Sequence, residues 1–296
     1  MGAVPQAATN PAPRQVIIHE DDVGMCHGAN TAFLDLFRRG ICTSGSVMVP
    51  CPWFPEIAAA AAADPNLDLG VHITLTSEKE HYRWSPLTKP SLAAGLTDPH
   101  GYFWNNVGDL RRRGHPDAVE AEMRAQIDRA LAMGVDVTHL DAHQYAAMAP
   151  EFAEAFVRVA ADYRVPVMFP VDFASFDYRP NLGEVDLALY GPLTARLQQA
   201  GNPLMAGLRE TPWTKAETAD AVYRRMLVGL PAGISFLALH FNAPGEIEVI
   251  EPSSAHIRIE EYAVFAAPDF AHWLRHQDLR LIGFRGFRDE LRARKH

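Results

Sequence analysis

The chain is poor in cysteine and has no long apolar run, and each shortage narrows the classes of protein to which it could belong. Only three cysteines occur among 296 residues, Cys26, Cys42 and Cys51. An odd number without C-x-x-C spacing is not typical of a disulfide framework, a zinc finger or a redox site, so we expect all three to be reduced and structural. No apolar run approaches the roughly 20 residues of a membrane-spanning helix, and we therefore expect no membrane partner.

Basic residues are also in deficit, which argues against binding to nucleic acid or to an anionic membrane. The chain has 27 Lys and Arg against 36 Asp and Glu, a formal net charge of -9. Association with a polyanion requires a basic face, and no such face is evident in the sequence. The one dense basic run is RRRG at residues 111–114, which we predict to be a solvated loop.

The first fourteen residues, MGAVPQAATNPAPR, are small, polar and rich in proline. They lack the apolar core of a signal peptide, so we predict a disordered N-terminal lead at 1–14, followed by a single domain at 15–296. A cytoplasmic location is then the default expectation. A homodimer is expected only from the base rate of soluble oligomers.

Short β-rich runs alternate with longer segments of helical period along the rest of the chain. This alternation is typical of a parallel sheet with crossover helices. The predicted strands lie near 15–20, 43–49, 67–75, 135–141, 164–171, 203–209, 233–241 and 278–284. The predicted helices lie near 28–39, 53–63, 116–133, 150–162, 184–200, 214–229, 256–275 and 286–294. Eight alternations favour a (β/α) barrel over a doubly wound sheet, and the segment 77–115 is predicted to be an elaborated loop over one end.

Histidines and carboxylates recur at the carboxyl ends of the predicted strands, where parallel α/β folds place their active sites. A lone histidine on an apolar strand is more often a core residue than a ligand, but repetition at several strands favours a functional cluster. The stretches are VIIHEDDVGM with Asp21 and Asp22, DLGVHITLT with His72, DVTHLDAHQY with His139, Asp141 and His143, and ISFLALHFNAPGE with His240.

These residue types predict a catalytic metal centre, for which three protein ligands and an open position are typical. His139 and His143 would share one face of a helix, and on an extended chain 139, 141 and 143 would all point to one side, so either geometry gathers them. Asp21 and Asp22 could both approach the same pocket at a strand end relaxed by Gly24. One carboxylate could then bind the metal while the other accepts a proton from a water.

Three motifs and a closing region, in this order, resemble those of the YdjC-like (ChbG/HpnK) carbohydrate deacetylase family. HEDDVG is similar to the family's ADDFG, GVHITLT to its GxHxxLT, and THLDAH to its THxDxHxH. The segments SSAHIRIEEYAVF and LRLIGFRGF are similar to its closing motifs. The resemblance covers the chain from about residue 15 to the end.

The resemblance implies a distorted (β/α) barrel that hydrolyses the N-acetyl group of an amino sugar or an N-acetylated oligosaccharide. Carried over residue by residue, it implies that Asp22, His72 and His143 hold one divalent metal ion, with Asp21 as general base. His240 would be the general acid for the departing amine. Two imidazoles and one carboxylate favour Zn²⁺ by ligand type, with Mg²⁺ as the alternative that the family suggests.

Five further residues are candidates for supporting roles around the metal ligands and the general base. His139 and Asp141 are candidates for orienting the metal-binding histidines through hydrogen bonds. Tyr145, Trp84 and Trp104 are candidates for substrate contacts.

The sequence also departs from the family pattern. Tyr145 stands where the pattern has a histidine, Met168 where an arginine is common, and HFNAPGE replaces HPG, so no particular sugar is carried over. His19 and Glu20 replace small or amide residues, and we expect the Glu20 side chain to point away from the metal.

Two other functions fit parts of the same pattern. A different metal-dependent barrel enzyme, such as a phosphoesterase, an isomerase or an aldolase, could use the same ligands, although phosphate chemistry favours a cationic pocket and the strand-end motifs contain no Lys or Arg. A non-catalytic sugar-binding protein could use the aromatic residues of the long loop, which are Tyr82, Trp84, Tyr102, Phe103 and Trp104.

Overall fold

The computed structural model describes residues 13–214 and 217–294. Residues 1–12 of the predicted lead lie outside these ranges. The last residue of the predicted lead, Arg14, is part of the folded domain. Arg14 begins the first strand, and its guanidinium donates hydrogen bonds to the backbone carbonyls of Leu227 and Val228, at 3.0 and 2.7 Å.

The described residues form one parallel sheet, whose strands follow the predicted order along the chain. The strands are β1 (Arg14–Val23), β2 (Ser44–Val47), β3 (Leu69–Ile73), β4 (Leu140–Ala142), β5 (Gly207–Glu210), β6 (Gly233–Leu239) and β7 (Arg280–Leu281). Their hydrogen-bonded order is β4-β3-β2-β1-β6-β5. The short β7 pairs with Gln15 and Val16 at the start of β1, ahead of the residues that pair with β2.

The sheet closes into a ring through the segment 165–171, which lies between β4 and β5. Val167 bridges to Leu140, and Pro170 bridges to Met205, both in parallel. The prediction of a regular strand at 164–171 is therefore wrong, because Pro166 and Pro170 have no amide N–H to donate to a ladder. The ring is closed but irregular, which confirms the expected distorted (β/α) barrel.

Helices pack around this ring in the order that the sequence predicts, with shifted ends. They are α1 (His27–Arg38), α2 (Phe54–Ala63), α3 (Val107–Arg113), α4 (Pro116–Ala132), α5 (Ala153–Tyr163), α6 (Arg179–Leu182), α7 (Tyr190–Ala200), α8 (Ala219–Val228), α9 (Ile247–Ile250), α10 (Ala255–Ala266), α11 (Pro268–Arg275) and α12 (Arg285–Ala293). Short 3₁₀ segments occupy Leu92–Ala94, His143–Met148, Phe173–Ser175 and Leu187–Leu189, and the second is kinked at the left-handed residues Gln144 and Tyr145.

Two helix predictions need correction. The helix predicted at 256–275 is two helices, α10 and α11, because Pro268 cannot continue the hydrogen-bond ladder and begins α11 instead. The run RRRG is not a loop, since its three arginines form the last turn of α3. There Arg111 pairs with Glu151 across to the start of α5, at 2.9 Å. Cations in the last turn are also favoured by the helix dipole.

The layer under the helices is apolar, whereas the barrel interior also holds buried polar side chains, among them His19, Ser46 and His139. Val16, Ile17 and Ile18 of β1 are fully buried, as are most apolar side chains of the neighbouring strands. The three cysteines are buried and unbridged, as expected. Among the residues that the structure describes, no helix combines the length and apolar character that a membrane crossing requires.

Candidate active site

The end of β1 turns two adjacent carboxylates toward the same cavity. Side chains alternate along β1, so Asp21 faces the barrel interior and Glu20 the opposite side, where its Oε2 accepts a hydrogen bond from the backbone N–H of Phe241 at 2.7 Å. Asp22 would follow Glu20 outward, but its φ of 61° and the register shift between Glu20 and Val23 turn it back. A left-handed aspartate is sparsely populated and is typical of functional sites.

The cavity lies at the carboxyl ends of the strands and has a volume of about 230 Å³. Asp21, Asp22, His72, His143 and His240 all line it. The strand-end motifs of the sequence therefore converge on one place, as the general rule for parallel α/β folds predicts.

Asp22, His72 and His143 present one ligand atom each within 4.8 Å of one another. The Oδ1 atom of Asp22 lies 3.2 Å from Nδ1 of His143 and 3.6 Å from Nε2 of His72. Ligands about 2.1 Å from one tetrahedral ion are about 3.4 Å apart, so this spacing fits a single metal. Moreover, Asp22 Oδ1 is buried and receives no hydrogen bond of good geometry from the described residues. The donor set therefore fits one divalent cation.

Each of the two histidines has a carboxylate at its other ring nitrogen. Nδ1 of His72 lies 3.0 Å from Asp141 Oδ1, and Nε2 of His143 lies 2.9 Å from Glu78 Oε2. Such a partner orients a metal-binding imidazole and raises its basicity. The sequence suggested Asp141 for this position but missed Glu78, whose signal is its place just after the GVHITLT motif.

His139 does not share this arrangement. It lies deeper in the barrel, where its ring stacks on Phe284 at 3.9 Å between centroids and its Nδ1 lies 3.0 Å from the hydroxyl of Thr138. Gly70 leaves room for it, because a Cβ there would be 2.5 Å from the ring. The expectation that either geometry gathers 139 and 143 is wrong, because four residues of extended chain separate them by about 13 Å.

Ion pairs join the proposed ligands to the segments that cover the cavity, and they form a closed ring of six side chains. Arg258 donates to Asp22 Oδ2 at 2.9 Å and lies 3.0 Å from Glu251. Lys79 lies 2.8 Å from Glu251 and 3.0 Å from Glu78, which in turn contacts His143. The cavity thus contains two cations that the strand-end motifs did not reveal, and each is engaged by two carboxylates.

These charges shift the pKa values of the site in opposite directions. Burial and the nearby charges of Asp141 and Asp22 raise the pKa of Asp21 well above its usual range. Burial also disfavours the charged form of Asp22, but Arg258 and His143 outweigh it and hold the pKa of Asp22 well below its usual range. Burial opposes the charged form of His143 as well, yet Glu78 and Asp22 raise its pKa to about 10.

Asp21 lies beside the proposed ligands, and within residues 13–214 and 217–294 its ion-pair partners are histidines only. Its Oδ2 is 4.0 Å from His72 Nε2 and 3.9 Å from His240 Nε2. Its Oδ1 lies 3.4 Å from His19 Nε2 and receives no hydrogen bond of good geometry from the described residues. His19 itself lies 3.2 Å from Asp141, below the cavity floor.

The three predicted substrate contacts have different positions. Tyr145 lines the cavity and donates a hydrogen bond from its hydroxyl to Glu210. Trp84 and Trp104 are not among the lining residues, since their indole N–H groups donate to the carbonyls of Thr76 and Gly95, both at 2.7 Å. The tryptophan that does line the cavity is Trp213, which sequence reasoning missed because it follows β5 in a stretch without a recognised motif.

The chain is similar to a known protein family and to several curated proteins. A family model described as YdjC-like protein matches residues 15–276. A carbohydrate deacetylase of Thermus thermophilus is 38% identical over 178 residues, which are 60% of this chain and 62% of that protein. A carbohydrate deacetylase of Thermoanaerobacter pseudethanolicus is 30% identical over 154 residues, 52% of this chain and 59% of that protein. The chain therefore spans about six tenths of the length of these curated relatives.

A solved structure has the same fold. An Enterococcus faecalis protein named for cellobiose-phosphate cleavage superposes with a TM-score of 0.74, at 19% identity, over 93% of this chain and 99% of that one. The strand-end motifs lie within the matched residues 15–276, which make up most of the chain. The chain belongs to the YdjC-like protein family.

Proposed function

We propose that this chain is a metal-dependent hydrolase that removes the N-acetyl group from an amino sugar or an N-acetylated oligosaccharide. The observation that carries the proposal is the pairing of His72 with Asp141 and of His143 with Glu78, while the other nitrogen of each histidine faces Asp22. A buried histidine with a purely structural role needs one satisfied hydrogen bond. Such a role does not require two histidines to aim their second nitrogens at one oxygen, Oδ1 of Asp22. The names of the curated relatives supply the reaction class.

Asp22, His72 and His143 would hold the ion, and Zn²⁺ suits two imidazoles and one carboxylate better than Mg²⁺ does. When bound, the metal would act as a Lewis acid toward the acetyl carbonyl and would increase the acidity of a water. Arg258 would keep Asp22 ionised and fixed, because it occupies the Oδ2 atom that faces away from His143.

Asp21 would be the general base. No Lys or Arg of the described residues pairs with it, it is buried beside the proposed ligands, and its raised pKa improves its ability to accept a proton. His240, whose Nε2 lies 3.9 Å from Asp21 Oδ2, would supply a proton to the departing amine. The wall formed by Tyr145, Glu210 and Trp213 would contact the sugar.

The test is an acetate-release screen over N-acetylated mono- and oligosaccharides, run on the purified protein with and without a chelator and paired with metal analysis. We expect acetate release that the chelator abolishes and that added Zn²⁺ restores. Release that is unaffected by chelation would refute the metal role. Absence of release from every substrate, together with turnover of a phosphate ester, would instead identify a different metal-dependent enzyme. Sugar binding without any turnover would identify a binding protein.

A further inference from the structure

His240 is held from behind by a buried hydrogen-bond network that the proposed reaction has not used. Its Nδ1 lies 2.8 Å from the hydroxyl of Thr211, which follows β5. That hydroxyl lies 2.9 and 3.1 Å from the two carboxylate oxygens of Glu261 on α10. Glu261 also accepts hydrogen bonds from the backbone N–H of His240, at 2.5 Å, and from the hydroxyl of Tyr223 on α8, at 2.6 Å.

Counting protons in this network fixes the direction of each hydrogen bond. A backbone N–H can only donate, so Glu261 is an acceptor toward His240. Burial raises the pKa of Glu261 to about 7, and above that pH the ionised carboxylate is an acceptor at every position. Thr211 has a single hydroxyl proton, which it donates to Glu261. Its oxygen is then left to accept a proton from Nδ1–H of His240. In a neutral imidazole the other nitrogen carries the lone pair, and here that nitrogen is Nε2.

The lone pair on Nε2 faces the cavity. Nε2 lies 3.9 Å from Oδ2 of Asp21 and 4.0 Å from Oδ2 of Asp22. The ring has little freedom to turn, because Trp213 packs against it with 4.8 Å between the ring centroids.

We propose that Glu261 and Thr211 are positioning residues that hold His240 as the Nδ1–H tautomer and aim its Nε2 lone pair into the cavity. The kinetic consequence rests on the proposed deacetylase function, whereas the tautomer is a property of the resting protein. His240 then begins each turnover as a proton acceptor at Nε2. It can protonate a departing amine only after a proton has reached Nε2 from the cavity.

The tautomer is measured by nitrogen NMR on the full-length, metal-free protein labelled with ¹⁵N-histidine, with the His240 signals assigned by their loss in His240→Gln. At a pH of about 8, above the pKa of Glu261, the wild-type spectrum should show a protonated Nδ1 and an unprotonated Nε2. In Glu261→Gln, the side-chain carbonyl keeps the bond from the His240 N–H, and the amide NH₂ donates to Thr211. The Thr211 hydroxyl accepts a proton from that amide and can donate its own to Nδ1, so the tautomer should switch to Nε2–H.

Three further variants separate this role from a merely structural one. Thr211→Val removes the relay and should abolish the tautomer preference, whereas Thr211→Ser keeps the hydroxyl and should retain Nδ1–H. Tyr223→Phe deletes a hydrogen bond to Glu261 without touching Thr211, so the tautomer should not change. If Glu261→Gln does not fold, the Thr211 pair decides.

Kinetics give the second readout. Thr211→Val and Glu261→Gln should lower kcat by about 10²- to 10⁴-fold, the usual contribution of a general acid or base, with little change in KM, and Thr211→Ser should restore most of the loss. An Nε2–H tautomer in the wild-type protein, or an unchanged tautomer in both Glu261→Gln and Thr211→Val, would overturn the inference. Failure of every N-acetylated sugar to react, with the Nδ1–H tautomer present, would overturn the deacetylase proposal and leave the positioning role intact.

Discussion

Metal binding to this site should release a proton and should therefore become tighter as the pH rises. In the metal-free protein, Nδ1 of His143 faces Asp22 at 3.2 Å, and Nε2 faces Glu78 at 2.9 Å. Burial works against a charged imidazole, but the two carboxylates raise the pKa of His143 to about 10. A metal ion can bind Nδ1 only after that proton leaves, so proton and metal compete for the same atom.

The size of the effect follows from the distance between the working pH and this pKa. At pH 7, about three units below a pKa of about 10, removing the proton costs about 4 kcal/mol, since one unit corresponds to 1.36 kcal/mol. The apparent metal affinity at pH 7 should accordingly be about 1,000-fold below its limit at high pH. It should rise about tenfold for each pH unit across the range 7 to 9.

Glu78→Gln should flatten this dependence. Glu78 provides the largest charge interaction that keeps His143 protonated, and its own pKa is lowered to about 2 by His143 and Lys79 against the effect of burial. Without that charge the pKa of His143 falls, so the rise in affinity should end at a lower pH. Glu80→Gln is the matched control, because Glu80 lies two residues away in the same segment and its side chain is largely exposed.

The measurement is isothermal titration calorimetry of the metal-free protein with Zn²⁺. Titrations in buffers of different ionisation enthalpy at pH 7 to 9 give the number of protons released along with the affinity. We expect at least one proton per metal in the wild type and in Glu80→Gln, and fewer at pH 8 to 9 in Glu78→Gln. An affinity that is independent of pH, or a Glu78→Gln profile identical to the wild type, would contradict the assigned ion pair.

Three other predictions test separate parts of the site and the fold. Asp21→Asn should keep the metal, measured by elemental analysis, but lower kcat for acetate release by about 10²- to 10⁴-fold, and full activity would exclude Asp21 as the base. His72→Ala should lose the metal and the activity together, so an active, metal-free variant would refute the proposed ligand set. Burial and His19 lower the pKa of His139 well below 6.5, so below about pH 6.5 the unfolded chain binds a proton at this residue that the folded chain excludes, and His139 alone should lower the free energy of unfolding by up to about 1.4 kcal/mol per pH unit. Chemical denaturation of the metal-free wild-type protein and of His139→Gln between pH 5 and 7 should show this contribution as a difference between their slopes, and identical slopes would contradict it.

The fold could be predicted from the sequence to the extent that it depends on local pattern. Apolar runs with strand period and amphipathic helical segments gave the order of elements, because each strand and helix must bury one face. Closure of the sheet was not readable from periodicity, since it depends on bridges made by Val167 and Pro170 in a segment that two prolines keep irregular. The division of 256–275 at Pro268 was readable, because a proline after a potential helix end is a local signal.

The site was predictable where its residues follow strands and unpredictable where they come from covering segments. Asp22, His72 and His143 lie at strand ends, and the topology of a parallel sheet brings those ends together. Glu78 and Lys79 lie in a long connection, and Arg258 lies on α10. Their ion pairs, which measure 2.9 to 3.0 Å, therefore depend on how these segments fold back over the barrel. No pattern of spacing within the sequence encodes that approach.

The three consecutive carboxylates after the first strand show how strongly the backbone, rather than residue type, assigns roles. Strand alternation sends Glu20 to the outer side of the sheet, where burial and the charge of Glu261 raise its pKa well above the usual range. The left-handed backbone at Asp22 turns that residue back beside Asp21, where Arg258 keeps it ionised, whereas no arginine in the part of the chain that the structure describes pairs with Asp21. Two carboxylates whose pKa values are pushed apart by their surroundings are suited to different tasks, one to stay charged and the other to exchange a proton. Both residues are aspartates, so residue type does not distinguish them. A backbone that lost the positive φ at Asp22 would remove the proposed ligand and leave the proposed base in place.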